Sequence, residues 1–105
     1  HVKDVVGSFI FAIENFNKIK KNIFNLGLST ANITKLTLAN KIKKNVKDLK
    51  IKIITNAKDP DQRDYFVSNK KIEKAGFKAK ISLETGINEL VNLFNSSEVE
   101  FINNY

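Results

Sequence analysis

Apolar residues in the first part of the chain recur at steps of three and four. Val5, Phe9, Ile13 and Phe16 form one row at this spacing. A wide apolar stripe with this period predicts an α-helix packed on a core. Asp4 precedes the stripe, and its carboxylate can accept the unpaired amide hydrogens of a first helical turn. We therefore expect Asp4 to be the N-cap of this helix.

Two later segments have the same helical period. Thr34 is the expected N-cap of one helix and Ser82 of the other. The residues expected to face inward are Leu36, Ala39, Ile42 and Val46 in the first, and Leu83, Ile87, Leu90, Val91 and Phe94 in the second. A shorter helix is predicted between them over residues 70–75. Ser68 or Asn69 can cap its start, and Gly76 suits the left-handed conformation that ends a helix.

Three segments favour an extended conformation. Residues 23–27 are a short apolar run that ends in Gly, residues 49–55 alternate at first between apolar and polar positions, and residues 64–68 follow a loop marked by Asp59-Pro60. The predicted fold is a small α/β, or α+β-like, unit with about four helices and two or three short strands. That is too few strands for a complete Rossmann sheet. We expect one domain over residues 1–105 with its core in about 1–94, and assign no element to 95–105.

Composition excludes several kinds of site. The chain has no Cys and a single His at position 1, so it offers neither a thiolate metal site nor a His cluster. The phenylalanines follow helix or strand periodicity, and we expect core packing rather than base stacking for Phe9, Phe11, Phe16, Phe24, Phe66, Phe77 and Phe94. The longest apolar run is too short to cross a bilayer and no signal peptide opens the chain, which favours a cytoplasmic protein.

The net charge of +7 raises the alternative of a stand-alone basic module that binds nucleic acid. Of the 18 basic residues, 17 are Lys, spread from Lys3 to Lys80 without a dense basic tail. Nucleic-acid readers more often use Arg, whose planar group pairs with phosphates and base edges. We therefore favour a solvated Lys surface and consider nucleic acid an improbable partner.

Five motifs, read in order, resemble the C-terminal region of the extended short-chain dehydrogenase/reductase family of sugar-nucleotide epimerases and dehydratases. They are His-Val-Lys-Asp-Val-Val at 1–6, Phe-Asn-Leu-Gly at 24–27, Asp-Pro-Asp-Gln-Arg-Asp-Tyr at 59–65, Lys-Ile-Glu-Lys-Ala-Gly-Phe at 71–77, and Ile-Ser-Leu-Glu-Thr-Gly-Ile at 81–87. Two details depart from the family pattern. Ala75 stands where the family usually has Leu, and residues 78–80 lack the usual Pro.

The resemblance implies a C-terminal lobe that binds a nucleotide-diphosphate sugar. In that family an N-terminal Rossmann domain holds NAD or NADP and carries out hydride transfer. This missing domain is therefore an expected partner. The chain begins at His1 without Met, inside a helical pattern, and we interpret it as part of a longer protein.

The chain lacks the catalytic parts of that chemistry. Its glycines are scattered and do not form the dinucleotide-binding fingerprint, which needs clustered glycines beside the pyrophosphate. The family's Tyr-x-x-x-Lys pair is also absent, because Asn69 stands four positions after Tyr65. We therefore expect no catalytic residue, no cofactor site and no metal site, and predict that the chain alone is inactive.

Arg63 is the first candidate binding residue. It is the single arginine and lies in the loop where the resemblance implies a contact with the diphosphate. A guanidinium gives a diphosphate paired donors that Lys does not reproduce. The alternative is an ion pair with Asp59, Asp61 or Asp64.

The neighbours of Arg63 complete the candidate site. Asp61 and Gln62 either orient the guanidinium and bond the ligand, or are exposed loop residues. Tyr65 either packs or stacks beside a nucleotide base. If the Rossmann domain is absent, the faces that should dock on it become exposed apolar patches, and the chain is expected to self-associate. A protein-interaction unit that evolved from such a lobe is a third possibility.

Overall fold

The computed structural model describes residues 1–54 and 65–96, and these residues form helices joined by irregular segments. The α-helices are α1 (Val2–Glu14), α2 (Phe16–Ile19), α3 (Lys35–Lys43), α4 (Lys70–Ala75) and α5 (Leu83–Asn95), with one turn of 3-10 helix at Ser29–Ala31.

The expectation of an α/β fold is wrong for this part of the chain, which contains no β-strand. Residues 23–27, 49–54 and 65–68 are neither helical nor paired in a ladder. Alternation of apolar and polar residues suits a strand only where a second backbone is available to pair with it. At Val67 the pairing groups are instead taken by a side-chain amide, that of Asn32.

The predicted helix boundaries from Thr34 onward are confirmed where a local hydrogen bond sets them. The Thr34 hydroxyl accepts from the Thr37 amide at 3.1 Å, and the Ser82 hydroxyl accepts from the Thr85 amide at 3.0 Å. Helix α4 ends at Gly76, whose φ of 117° lies in the left-handed region that glycine adopts without strain.

The start of α1 differs from the prediction. His1, not Asp4, is the N-cap, since its Nδ1 accepts from the Lys3 amide at 3.1 Å. Asp4 lies inside the first turn, and its carboxylate accepts from the backbone amides of Lys80 and Ile81 at 3.0 Å each. Asp4 therefore joins α1 to the segment before α5 instead of capping its own helix.

The face of α1 that contacts the rest of the chain is small and mixed in polarity. A Cβ at Gly7 would lie 3.4 Å from the Phe77 ring, so glycine allows that ring to approach the helix closely. The rings of Phe11 and Phe77 lie 5.7 Å apart between centroids at a tilt of 44°. Together with Asp4, these contacts hold α1 against the residues that follow α4.

The apolar stripe of α1 faces solvent, so its predicted place in a core is wrong. Phe9 is 66% exposed and Ile13 is 77% exposed. The other exposed large apolar residues of the same region are Val2, Val5, Val6, Ile10 and Phe16. We call this set the α1 apolar face.

Little apolar surface is buried elsewhere. Ile72, Ala79 and Ile87 are the buried apolar residues of the described chain. Of the predicted core phenylalanines, Phe9, Phe16, Phe66 and Phe94 are exposed, whereas Phe11, Phe24 and Phe77 are half-buried. The accessible surface is 9453 Å², compared with about 5,900 Å² for a compact monomer of this mass. The chain thus leaves surface uncovered that a self-sufficient domain would bury.

The Asp4 contacts predict a pH-dependent stability. The hydrogen bond from the Lys80 amide is the main cause that lowers the pKa of Asp4 below its ordinary value of 3.8. A carboxyl whose folded pKa is lowered stabilises the fold above its unfolded pKa, and that stability is lost as pH falls through the folded pKa. Asp4→Asn should reduce the free energy of unfolding at neutral pH by about 2 kcal/mol and flatten its decline in acid.

Urea denaturation followed by circular dichroism checks this result at neutral pH and at pH values below 3.8. Asp48→Asn is the matched control, because Asp48 is exposed and has a left-handed φ of 65° that Asn also tolerates. The assigned role would be contradicted if the free energy of unfolding fell equally with pH in Asp4→Asn and in the unsubstituted chain.

Candidate functional site

The structure describes the residues that follow the candidate binding segment, from Tyr65 onward. Asp61, Gln62 and Arg63 lie outside the described residues. Tyr65 is 71% exposed and Phe66 is 75% exposed. Among the described residues the ring of Tyr65 is open to solvent, as is that of the next residue, Phe66.

Asn32 holds the segment that carries these rings. Its Nδ2 donates to the Val67 carbonyl at 3.0 Å, and its Oδ1 accepts from the Val67 amide at 3.0 Å. The side-chain amide thus satisfies both backbone groups of one residue, as a neighbouring strand would. This pair fixes the backbone one residue after Phe66 while both aromatic side chains remain exposed.

A second set of polar contacts ties the same segment to the turn that contains the 3-10 helix. The Nδ2 of Asn69 donates to the Ser29 hydroxyl at 3.4 Å, and that hydroxyl donates to Glu73 at 2.6 Å. Asn25 donates to the Ser68 carbonyl at 3.4 Å. The residues after Tyr65 are therefore held by side chains from residues 25–32 and from α4.

Asn69 is the most buried polar residue of the described chain, at 2% exposure. It precedes α4 without capping it, because its side chain turns toward Ser29. Its Oδ1 accepts no hydrogen bond within the described residues and lies beside Gly27. A buried amide oxygen without a donor is unfavourable, so Asn69 positions the segment at some expense of stability.

Lysine side chains reinforce this arrangement. The Lys71 ammonium donates to the Ile23 carbonyl at 2.9 Å and lies 5.1 Å above the centre of the Phe24 ring. A cation over an aromatic face is attracted by the ring quadrupole. Lys71 therefore holds Ile23 and Phe24, the first residue of the Phe-Asn-Leu-Gly motif, against α4.

His1 contacts α5 through its side chain. The Nε2 of His1 lies 2.8 Å from the Glu89 carboxylate, and Lys3 lies 3.4 Å from the same carboxylate. The His1 side chain is 12% exposed. Both His1 and Asp4 connect α1 to neighbouring segments.

The described residues contain no group of three His, Cys, Asp or Glu side chains placed to hold a metal ion. Within the same residues, none of the helices has the length and apolar character needed to cross a membrane. The side chains that hold residues 67–69 are amides and a hydroxyl, which suit positioning of the backbone. No family model matches this sequence.

Sequence reasoning missed Asn32 and Phe66. An Asn in a polar stretch carries no periodic signal, and its partner Val67 lies 35 residues away. Phe66 was assigned to the core because aromatic residues are usually buried. The adjacent Tyr-Phe pair directly after the candidate loop was the available signal for an exposed aromatic surface.

The Asn32 contacts predict a local effect on the candidate segment. Asn32→Ala removes both bonds to Val67, so the free energy of unfolding should fall by about 2 kcal/mol. The Val67 amide should exchange with deuterium at least about tenfold faster. Amide exchange measured by NMR tests this, with the exposed α3 substitution Asn40→Ala as control. Unchanged exchange at Val67 in Asn32→Ala would show that other contacts hold the segment.

Proposed function

We propose that this chain is the nucleotide-diphosphate-sugar-binding lobe of an NAD- or NADP-dependent epimerase or dehydratase. The observation that carries the proposal is the exposed pair Tyr65 and Phe66, held by Asn32 directly after the loop that contains Arg63. The order of the five sequence motifs supports the same assignment.

The candidate residues would bind the nucleotide in two ways, through charge on the diphosphate and through stacking on the base. Arg63 pairs with the diphosphate, because its guanidinium offers two parallel donors to phosphate oxygens. Asp61 and Gln62 orient that guanidinium or bond the ligand. Tyr65 stacks on the nucleobase, and its open ring supports this role.

The partner domain would supply the reaction itself. Bound NAD would oxidise a carbon of the sugar transiently, and epimerisation, dehydration or reduction would follow. This chain would hold the nucleotide end so that the sugar meets the cofactor in a productive geometry. Its own residues move no hydride, which agrees with the absence of the Tyr-x-x-x-Lys pair.

The α1 apolar face is the proposed contact with the Rossmann domain. It presents Phe9 and Ile13 to solvent, together with five further exposed apolar residues of α1 and α2. Exposed apolar area of this extent favours association with another surface. In the absence of that domain the same face should drive self-association of the chain.

Binding of nucleoside diphosphates tests the proposed site. The chain titrated with UDP, ADP, GDP and CDP in separate experiments should bind at least one of them. Arg63→Lys and Arg63→Ala should each weaken that binding by about tenfold or more. Tyr65→Ala should weaken it by about five- to tenfold through lost stacking.

Lys74→Ala is the matched control, because Lys74 is an exposed positive charge on α4 and lies outside the candidate residues 61–65. Equal affinity of the Arg63 variants and the unsubstituted chain would contradict the proposal. Absence of diphosphate binding, together with RNA binding that weakens steeply with salt, would favour the basic nucleic-acid module instead.

Sedimentation of the isolated chain tests the α1 apolar face. The double substitution Phe9→Gln and Ile13→Gln should shift the chain toward monomer, because it removes two large, strongly exposed apolar side chains from this face. Ile53→Gln is the control, since Ile53 is also 66% exposed but belongs to a different segment. If the unsubstituted chain is monomeric, α1 is not an associating surface. The same conclusion follows if Ile53→Gln and the double substitution have equal effects on sedimentation.

A further inference from the structure

A second open surface lies between α3 and α5, and it shares no residue with α1 or with the candidate loop. A groove of about 660 Å³ lies between α5 and the end of α3 with the turn that follows it. Its apolar lining consists of Ile42, Val46, Ile87, Leu90, Val91 and Phe94. Ile87 is buried at its floor, whereas Leu90 is 56% exposed.

A salt bridge connects the two helices next to this groove. The Lys41 ammonium on α3 donates to the carboxylate of Glu84 in the first turn of α5. That hydrogen bond is the main cause that lowers the pKa of Glu84. The bridge joins the helices before the apolar lining of α5 begins at Ile87, so it keeps both walls of the groove together.

The lining residues on α5 follow helical spacing, since Ile87, Leu90, Val91 and Phe94 are three and four residues apart. The facing wall is formed by Ile42 on α3 and by Val46 in the turn that follows α3. A row of side chains like that on α5 forms a ridge beside which the side chains of another helix can pack. Amphipathic helices bind grooves of this kind through apolar anchors at the same spacing.

The charge around the groove selects the partner. Lys47 lines the groove, and Lys43 and Lys44 are exposed on the same stretch of chain. From Lys35 to Lys47 the sequence contains no Asp or Glu. An occupant with acidic residues beside its apolar face would meet positive charge along one wall. A second copy of this chain that docked through the same groove would instead set its own lysines against these.

We propose that the groove between α3 and α5 is a docking site for an acidic amphipathic helix of a partner protein. The apolar face of that helix packs on Leu90, Val91 and Val46, and its acidic residues face Lys44 and Lys47. This inference does not depend on the nucleotide-sugar function, because the two surfaces have no residue in common.

A labelled synthetic peptide tests the proposal with the full chain. The probe is an amphipathic helix with leucines at steps of three and four on one face and glutamates on the other. A second peptide replaces each glutamate by lysine. Fluorescence anisotropy should show that the glutamate peptide binds at least about tenfold more tightly than the lysine peptide.

Two pairs of variants locate the binding. Leu90→Gln should weaken binding of the glutamate peptide by about tenfold, whereas Leu93→Gln should not, since Leu93 is 50% exposed on the same helix but outside the groove. Lys47→Glu should weaken binding, and Lys74→Glu on α4 should not. Circular dichroism verifies that each variant keeps its helix content.

Three results would overturn the proposal. The first is equal binding of the glutamate and lysine peptides, and the second is equal binding by the Leu90 and Leu93 variants. The third is self-association of the unsubstituted chain that Leu90→Gln abolishes and that displaces the peptide. That result would assign the groove to a second copy. Each of these three results can occur whether or not the chain binds nucleoside diphosphates, so this test is independent of the proposed function.

Discussion

The two hydrogen bonds accepted by Asp4 decide which face of α1 turns toward the rest of the chain. Because the carboxylate reaches the amides of Lys80 and Ile81, the helix presents Gly7 and Phe11 to Phe77. Side chains three and four positions apart share a helix face. The row containing Val5, Phe9 and Ile13 must consequently point away, so one polar anchor in the first turn accounts for the exposed apolar stripe.

This orientation divides the chain into a small buried centre and two open surfaces of different character. The centre contains Ile72, Ala79 and Ile87, next to the turn that Gly76 makes possible. The α1 apolar face has few charges, whereas the groove between α3 and α5 is bordered by lysines. Apolar burial is the main stabilising term in folding. The described residues bury few apolar side chains, which favours the contacts proposed for these two surfaces.

The sequence predicted features that depend on neighbouring residues and missed those that depend on distant ones. Thr34 and Ser82 cap their helices through amides three residues away, and Gly76 ends α4 by its own backbone freedom, so the local pattern was sufficient. Periodicity showed which face of α1 is apolar but not what covers it. Alternation at residues 49–54 and 65–68 predicted strands that lack a partner backbone in the described chain.

The same distinction applies to the candidate site. Arg63 and Tyr65, which are two positions apart, were singled out by type and by motif, which requires no knowledge of the fold. The contribution of Asn32 comes from a contact spanning 35 residues, and it explains how exposed aromatic rings can stand on a fixed backbone. A rigid support reduces the ordering that a ligand must impose when it binds. Stacking on Tyr65 would therefore retain more of its favourable free energy than stacking on a loose loop. Under the proposed function, a lobe without a catalytic pair of its own would still determine how a nucleotide is presented to the partner domain.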